Sequence, residues 1–381
     1  MPSNKRLFEL DALRAVAIVL IVFSHLISFI KSNLFILTVN SINYIFPVWF
    51  YGLSLFFFIS GFVLHYKHPT ISSRQDAIDF LKRRVVRIYP LYWIALAVFI
   101  TLGITLGMDA WNFFLATIYI CGLQVFFPPG GEGFGLLWFV GVILLYYLIY
   151  LVLARLSHAP KLLLTAVLGF PLFFVVLRLA FNIVDSRFFV YYGIFIAGVI
   201  ASKYNLLYRT NAKRRYTAYS IALFCGVISV VALVTKLTQH LSSSTNVPTG
   251  SLSDAYNMLN DPTAPLSLAN SIVIVLANAL AFLFIYWSFN SMRLILPSVS
   301  ATTRKLLAAI AFASYSIYLF HLQFLWLLST VLYAAHVAWV PAILLGSVPV
   351  VFLLCYAIQL RENTFIRKYT RTRQQIPSFR S

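Results

Sequence analysis

The sequence predicts an all-α polytopic membrane protein with about ten transmembrane helices and one extra re-entrant or interfacial segment. Composition is the first reason. Of the 381 residues 61% are hydrophobic and only 10% charged, with a mean hydropathy of +0.87, which excludes an ordinary soluble domain. Spacing is the second, because the apolar residues gather into runs that approach the roughly 20 residues a bilayer-crossing helix needs. Charge placement is the third. A net charge of +19 would suggest nucleic acid in a soluble protein. Here the basic residues fall in short segments between apolar runs, where they set topology. The expected partner is the lipid bilayer, and no nucleic acid.

The runs lie at 10–30, 44–66, 89–107, 111–127, 136–154, 162–183, 188–202, 216–236, 266–288, 306–330 and 340–360. Lys5 and Arg6 before the first imitate a secretory leader, but that run is too long and too charged for one, so it reads as a retained span. Cytoplasmic segments carry the Lys and Arg excess. If 111–127 does not cross, 24 of the 29 basic residues fall on the cytoplasmic side. Lys31, Arg178, Arg187 and Lys236 are then left outside, and Arg14 lies within the membrane. If 111–127 crossed, the basic 203–215 segment and the tail would face outward. Ten spans follow, with both termini cytoplasmic, in a multi-pass protein of the cell membrane. The run 111–127 becomes the outer re-entrant or interfacial element, followed by PPGGEGFG (128–135), whose glycines suit a tight, substrate-facing turn. The polar stretch 237–265 reads as an outer loop. Residues 1–365 form the transmembrane domain and 366–381 a basic cytoplasmic tail.

An Arg or Asp at mid-helix costs about 2.5 to 3.5 kcal/mol on insertion scales, so intramembrane ionisable groups point to function. The first run carries three: Asp11, Arg14 and His25. The step from 14 to 25 is three turns plus roughly 20°, so both side chains lie on one face, about 16 Å apart. Asp11 is one turn before Arg14, close enough to pair with it. His321 lies as deep in the run 306–330 as His25 does in the first, about 22 to 24 Å from the inner edge. Two histidines can thus line one cavity, with Tyr315 and Tyr318 inward of His321 on nearby faces. Cys121, Cys225 and Cys355 have no metal-ligand spacing, and His65, His68, His158 and His240 share no ligand sphere. No metal site is expected, and there is no phosphate-cradling loop motif.

Five stretches resemble, in order, the landmarks of the acyltransferase-3 family of membrane acyltransferases. They are LDALRAVAIVLIVFSH (10–25) with its Arg14-x10-His25 spacing, LFFFISGFVL (55–64), RRVVRIYPLYW (83–93), LLWFVGVILLYYL (136–148) and SYSIYLFH (314–321). The resemblance implies a ten-helix enzyme that moves an acyl group, usually acetyl, from cytoplasmic coenzyme A to a sugar hydroxyl handled at the outer side. One departure stands out. Many relatives have paired glutamates after the tryptophan matching Trp138, and here Ile143 and Leu144 stand there. The resemblance therefore supplies no acid partner for His25.

Acyl transfer to an alcohol needs a base, and histidine is matched to neutral pH. The expected catalytic residues are His25 as base, Arg14 as orienter of the donor and His321 as a second histidine positioning the acceptor. The expected binding residues are Arg84 and Arg87, one turn apart and suited to coenzyme A phosphates, then Asp11 as orienter of Arg14, Tyr315, Tyr318 and Ser60. Ser60 also fits a bland role beside Gly61, permitting close helix contact, and Trp138 and Tyr147 read as interface or packing aromatics. No tightly bound cofactor is expected. The donor substrate is acetyl-CoA or another acyl-CoA, and the acceptor a surface or lipid-linked glycan. Two rival functions stay open. A glycolipid or anion transporter could use Arg14 and His25 as a path, though no inverted repeat is visible, and a non-catalytic membrane partner would not need the pair.

Overall fold

The computed structural model describes residues 7–30, 48–105, 113–127, 136–156, 160–209, 259, 261–264, 266 and 268–375. Among the described residues every regular element is helical. The order is α1 (Phe8–Phe29), α2 (Val48–Lys67), α3 (Arg74–Thr105), α4 (Phe113–Cys121), α5 (Trp138–Leu156), α6 (Pro160–Phe181), α7 (Ser186–Lys203), α8 (Leu206–Arg209), α9 (Leu268–Ile295), a 3-10 turn (Leu296–Ser298), α10 (Ala301–Ala334) and α11 (Val340–Gln375). Seven of them, α1, α2, α3, α5, α9, α10 and α11, are long and apolar enough to cross a membrane. Of the other expected spans, α6 contributes the shorter apolar helix Leu168–Phe181, and α7 has 18 residues that include Arg187 and Lys203. The run 216–236 and the glycine-rich 128–135 lie outside the described residues.

Polar residues start the helices where the chain leaves a turn. Ser73 and Asp76 exchange caps at the head of α3, the Ser73 Oγ accepting from the Asp76 N–H at 3.0 Å and the Asp76 carboxylate accepting from the Ser73 N–H at 3.1 Å. Ser300 caps α10 by accepting from the Thr303 N–H at 3.2 Å. The run 111–127 yields only α4, nine residues or about 13 Å, too short to cross. Gly122 ends it at φ +73°, the left-handed position that glycine takes without penalty. Its last carbonyls are closed by side chains of α3. Tyr92 donates to Tyr119 O at 2.5 Å, Trp93 Nε1 to Ile120 O at 3.0 Å and Tyr89 to Cys121 O at 2.8 Å. Carbonyls that end inside a bilayer have no water to turn to, which explains the aromatic cluster of RIYPLYW.

The bundle is tightest where α2 crosses α7. A Cβ on Gly61 would overlap the carbonyl oxygen of Phe195, and one on Gly198 the carbonyl oxygen of Phe58. Only two glycines facing each other allow this approach. The close contact permitted beside Ser60 thus belongs to Gly61. Helix α1 packs between α2 and α10, α10 leans on α11, and α9 touches α1, α2 and α7. At the centre the Phe57 ring meets Tyr191 at 4.7 Å, Phe139 at 4.8 Å and Tyr146 at 5.3 Å. Leu168, Leu172, Leu179 and Phe181 of α6 and Val350 and Leu353 of α11 stay exposed, as lipid-facing surfaces do.

Two of the charges counted above as left outside are buried within the protein. Arg178 and Arg187 have 6% and 7% exposure. Asp185 explains one of them. Its carboxylate accepts from Arg187 Nε at 2.9 Å and from Nη2 at 2.6 Å, while also capping α7 through the Arg187 N–H. The Arg187 guanidinium lies 4.3 Å above the Trp138 ring. Arg178 donates to Val184 O at 2.8 Å and Ala264 O at 3.2 Å. A buried charge is tolerated when paired or hydrogen-bonded: Arg187 has the Asp185 carboxylate, and Arg178 relies on two backbone carbonyls.

Candidate functional site

A cavity of about 930 Å³ lies near the expected residues, between α1, α2, α3, α5, α10 and α11. Of the residues singled out in the sequence, Asp11, Arg14, Ser60, Arg84, Arg87, Tyr315 and Tyr318 all line it. His25 and His321 do not. They pack against each other just beyond its end, ring centres 5.3 Å apart. Tyr318 stands at the junction, with its ring on the cavity and 6.3 Å from that of His321.

One end of the cavity is basic. Its walls carry Arg14, Lys82, Arg83, Arg84 and Arg87 against Asp11 and Asp79, five cations to two carboxylates. Asp11 pairs with Arg14 at 3.6 Å, and Gln359, Asn363 and Ile366 of α11 close the opposite side. Arg84 is held between two aromatic faces, Phe80 and Tyr147, each ring centre 5.3 Å from its guanidinium carbon. Its Nε is buried with no hydrogen-bond partner among the described residues. The excess of cations also shows on a neighbouring loop. Burial, together with Arg84, Arg83 and Lys67, pushes the His68 imidazole below its ordinary value. A concave surface with surplus guanidinium groups suits a polyanion such as a set of phosphates.

The other end is apolar. Phe56, Val63, Phe139 and Ile143 line it beside Ser60 and Tyr318. Both tyrosine hydroxyls are occupied in holding helices together. Tyr315 donates to Ile88 O at 2.9 Å, one residue past Arg87, and Tyr318 to Leu136 O at 2.8 Å. Gln124 fixes the same turn from α4's side by donating to Leu137 O at 2.7 Å.

The histidine pair has a defined proton arrangement on one side. His321 Nδ1 lies 2.8 Å from Ile317 O and 3.0 Å from Tyr318 O. Both are acceptors, so Nδ1 carries the proton and Nε2 keeps its lone pair. That Nε2 is buried and unpartnered among the described residues. Backbone carbonyls of its own helix thereby do for His321 what a carboxylate does in many histidine sites. The residues at 143 and 144 take no part in this: Ile143 is a cavity wall.

Two features escaped the sequence. Tyr147, read there as a packing aromatic, forms half of the clamp on Arg84, a pairing between distant segments that no local pattern reveals. The second is the pair of Asp185 and Arg187, for which a signal was present, since opposite charges two residues apart at the start of an apolar run form a local pattern.

A family model described as an acyltransferase domain matches residues 7–358. No curated protein and no solved structure matches the chain.

Proposed function

We propose, from the premise that this chain belongs to the acyltransferase-3 family and is a membrane acyltransferase, that it moves an acetyl group from cytoplasmic acetyl-CoA to a hydroxyl of a surface or lipid-linked glycan. The observation that carries this is a cavity that is basic at one end and has at the other Tyr318, whose ring lies 6.3 Å from that of the buried His321, itself packed on His25. Coenzyme A is a phosphate cluster on an extended chain that ends in a thioester, and the cavity has that polarity. Arg84 and Arg87 take the phosphates, Arg14 orients the donor beyond them, and the thioester lies against Tyr318.

His25 takes the proton of the acceptor hydroxyl as the oxygen attacks the thioester carbon. The Nε2 lone pair of His321 has no competing partner among the described residues, and with the two rings 5.3 Å apart it serves to stabilise the protonated state of His25. Collapse of the tetrahedral intermediate then expels the coenzyme A thiolate. Phe139 and Tyr318 line the cavity with their rings packed 4.8 Å apart, which supports an enzyme over an open permeation path. Thioester cleavage by purified protein, dependent on added glycan acceptor, tests the assignment. Full-length protein that binds coenzyme A but never cleaves acetyl-CoA in the presence of host glycans would overturn it.

Two further results are expected. Arg84→Ala and Arg87→Ala should each weaken coenzyme A binding by roughly 10- to 150-fold, because a charge-assisted hydrogen bond is worth about 1.5 to 3 kcal/mol. Calorimetry should show a smaller difference at high salt, where the wild-type contact is already screened. If both termini are cytoplasmic, a cysteine at position 204, where Tyr204 is 49% exposed, resists a membrane-impermeant reagent in intact cells. A cysteine at position 250 reacts with it. Labelling in the reverse pattern would invert the topology.

A further inference from the structure

The apolar end of the cavity has a fixed wall. Phe139 lines it and is 8% exposed. Its ring is packed on two sides, 4.8 Å from Phe57 and 4.8 Å from Tyr318, with Phe56 at 6.4 Å and Trp138 at 6.3 Å. Tyr318 is itself tied to Leu136 O, so it cannot swing aside without breaking a buried hydrogen bond. Phe57 is held in turn between Tyr191 and Tyr146. An aromatic ring wedged in this way has no alternative rotamer to retreat into.

We infer that Phe139 gauges the acyl chain, so that the site takes acetyl in preference to butyryl and longer acyl groups. This rests on the acyl-transfer assignment above and adds a specificity-determining residue to it. A thioester presented beside Tyr318 directs its acyl carbons at the Phe139 face. A two-carbon group stops short of the ring, whereas each further methylene must displace it. Tyr318 closes the neighbouring direction, and removing the Phe139 ring, which packs on Phe57 and Tyr318, would lengthen the space without touching the basic end or the histidines.

The test is calorimetry on full-length protein in nanodiscs with coenzyme A, acetyl-CoA, butyryl-CoA and hexanoyl-CoA. Wild-type protein is expected to bind acetyl-CoA about as well as coenzyme A and butyryl-CoA at least about tenfold more weakly, since one methylene in a confined apolar site already discriminates by about 10- to 200-fold. Phe139→Ala should bring butyryl-CoA level with acetyl-CoA. Phe139→Leu keeps most of the buried volume and should shift the order in the same direction, so it carries the test where the alanine variant does not fold. Phe139→Trp should weaken acetyl-CoA while sparing coenzyme A. Equal binding of all three thioesters by the wild type, or an unchanged order in Phe139→Leu, would overturn the gauge alone. A wild type that binds none of the four, coenzyme A included, would overturn the acyl-CoA assignment and the gauge with it.

Discussion

His25→Ala is expected to lower the rate of acyl transfer by about 10² to 10⁴-fold, the usual contribution of a positioned acid-base group, with coenzyme A affinity unchanged. The separation of the two effects follows from the geometry. The histidines lie past Tyr318, outside the cavity wall, so removing the imidazole leaves Arg84, Arg87 and their aromatic clamp untouched. His321→Ala should lose rate as well, and His321→Asn should not restore it, because the shorter amide can keep donating to Ile317 O and Tyr318 O but its oxygen does not reach the position of Nε2. Turnover measured beside calorimetry decides the matter. Normal turnover in His25→Ala would remove that histidine from the reaction.

Gly198→Leu or Gly61→Leu is expected to abolish the folded bundle. At Gly61 an added Cβ overlaps Phe195 O and comes within 3.1 Å of Phe195 C, and at Gly198 it overlaps Phe58 O and comes within 2.9 Å of Phe62 N. These neighbours are backbone, so neither helix can yield without moving its whole length. Overpacking a core typically costs about 1 to 3 kcal/mol even where side chains can adjust, and here none can. Size-exclusion profiles and melting temperatures in detergent give the readout. Gly346→Ala is the contrast, since nothing lies within 4 Å of its Cβ position. It should leave the melting temperature unchanged or raise it, alanine being favoured over glycine in a helix by about 1 kcal/mol.

Helices were legible in the sequence because a bilayer dictates them: a chain so apolar must satisfy its backbone internally, and runs near 20 residues are the only economical way. The short α4 was legible through charge, since letting 111–127 cross would have turned the basic segments outward. Depth was legible too. Counting residues along two runs put His25 and His321 at one level, and the structure holds their rings 5.3 Å apart. Rotation between helices was not. Arg14 and His25 share a face of α1 by period, yet only Arg14 opens on the cavity, because Tyr318 from α10 intervenes. Nor could the sequence tell that Tyr147 of α5 would clamp Arg84 of α3, or that Gly61 rather than Ser60 would make the close crossing. Those outcomes depend on which helix becomes the neighbour, and periodicity along one helix carries no information about that.

The buried pair of Asp185 and Arg187 bears on how the chain is made. A lone arginine or aspartate at the middle of an inserting helix opposes insertion by about 2.5 to 3.5 kcal/mol. Here the two charges are separated by a single residue, and the carboxylate already caps the helix it precedes. They can neutralise each other during synthesis, before any later helix has arrived, so the segment can be handed to the bilayer as a dipole. Arg178 has no such independence. One of its two carbonyl partners, Ala264, is 86 positions downstream, so its burial waits for chain that has not yet left the ribosome. The order in which these arginines become hidden is thus written into the separation of their partners.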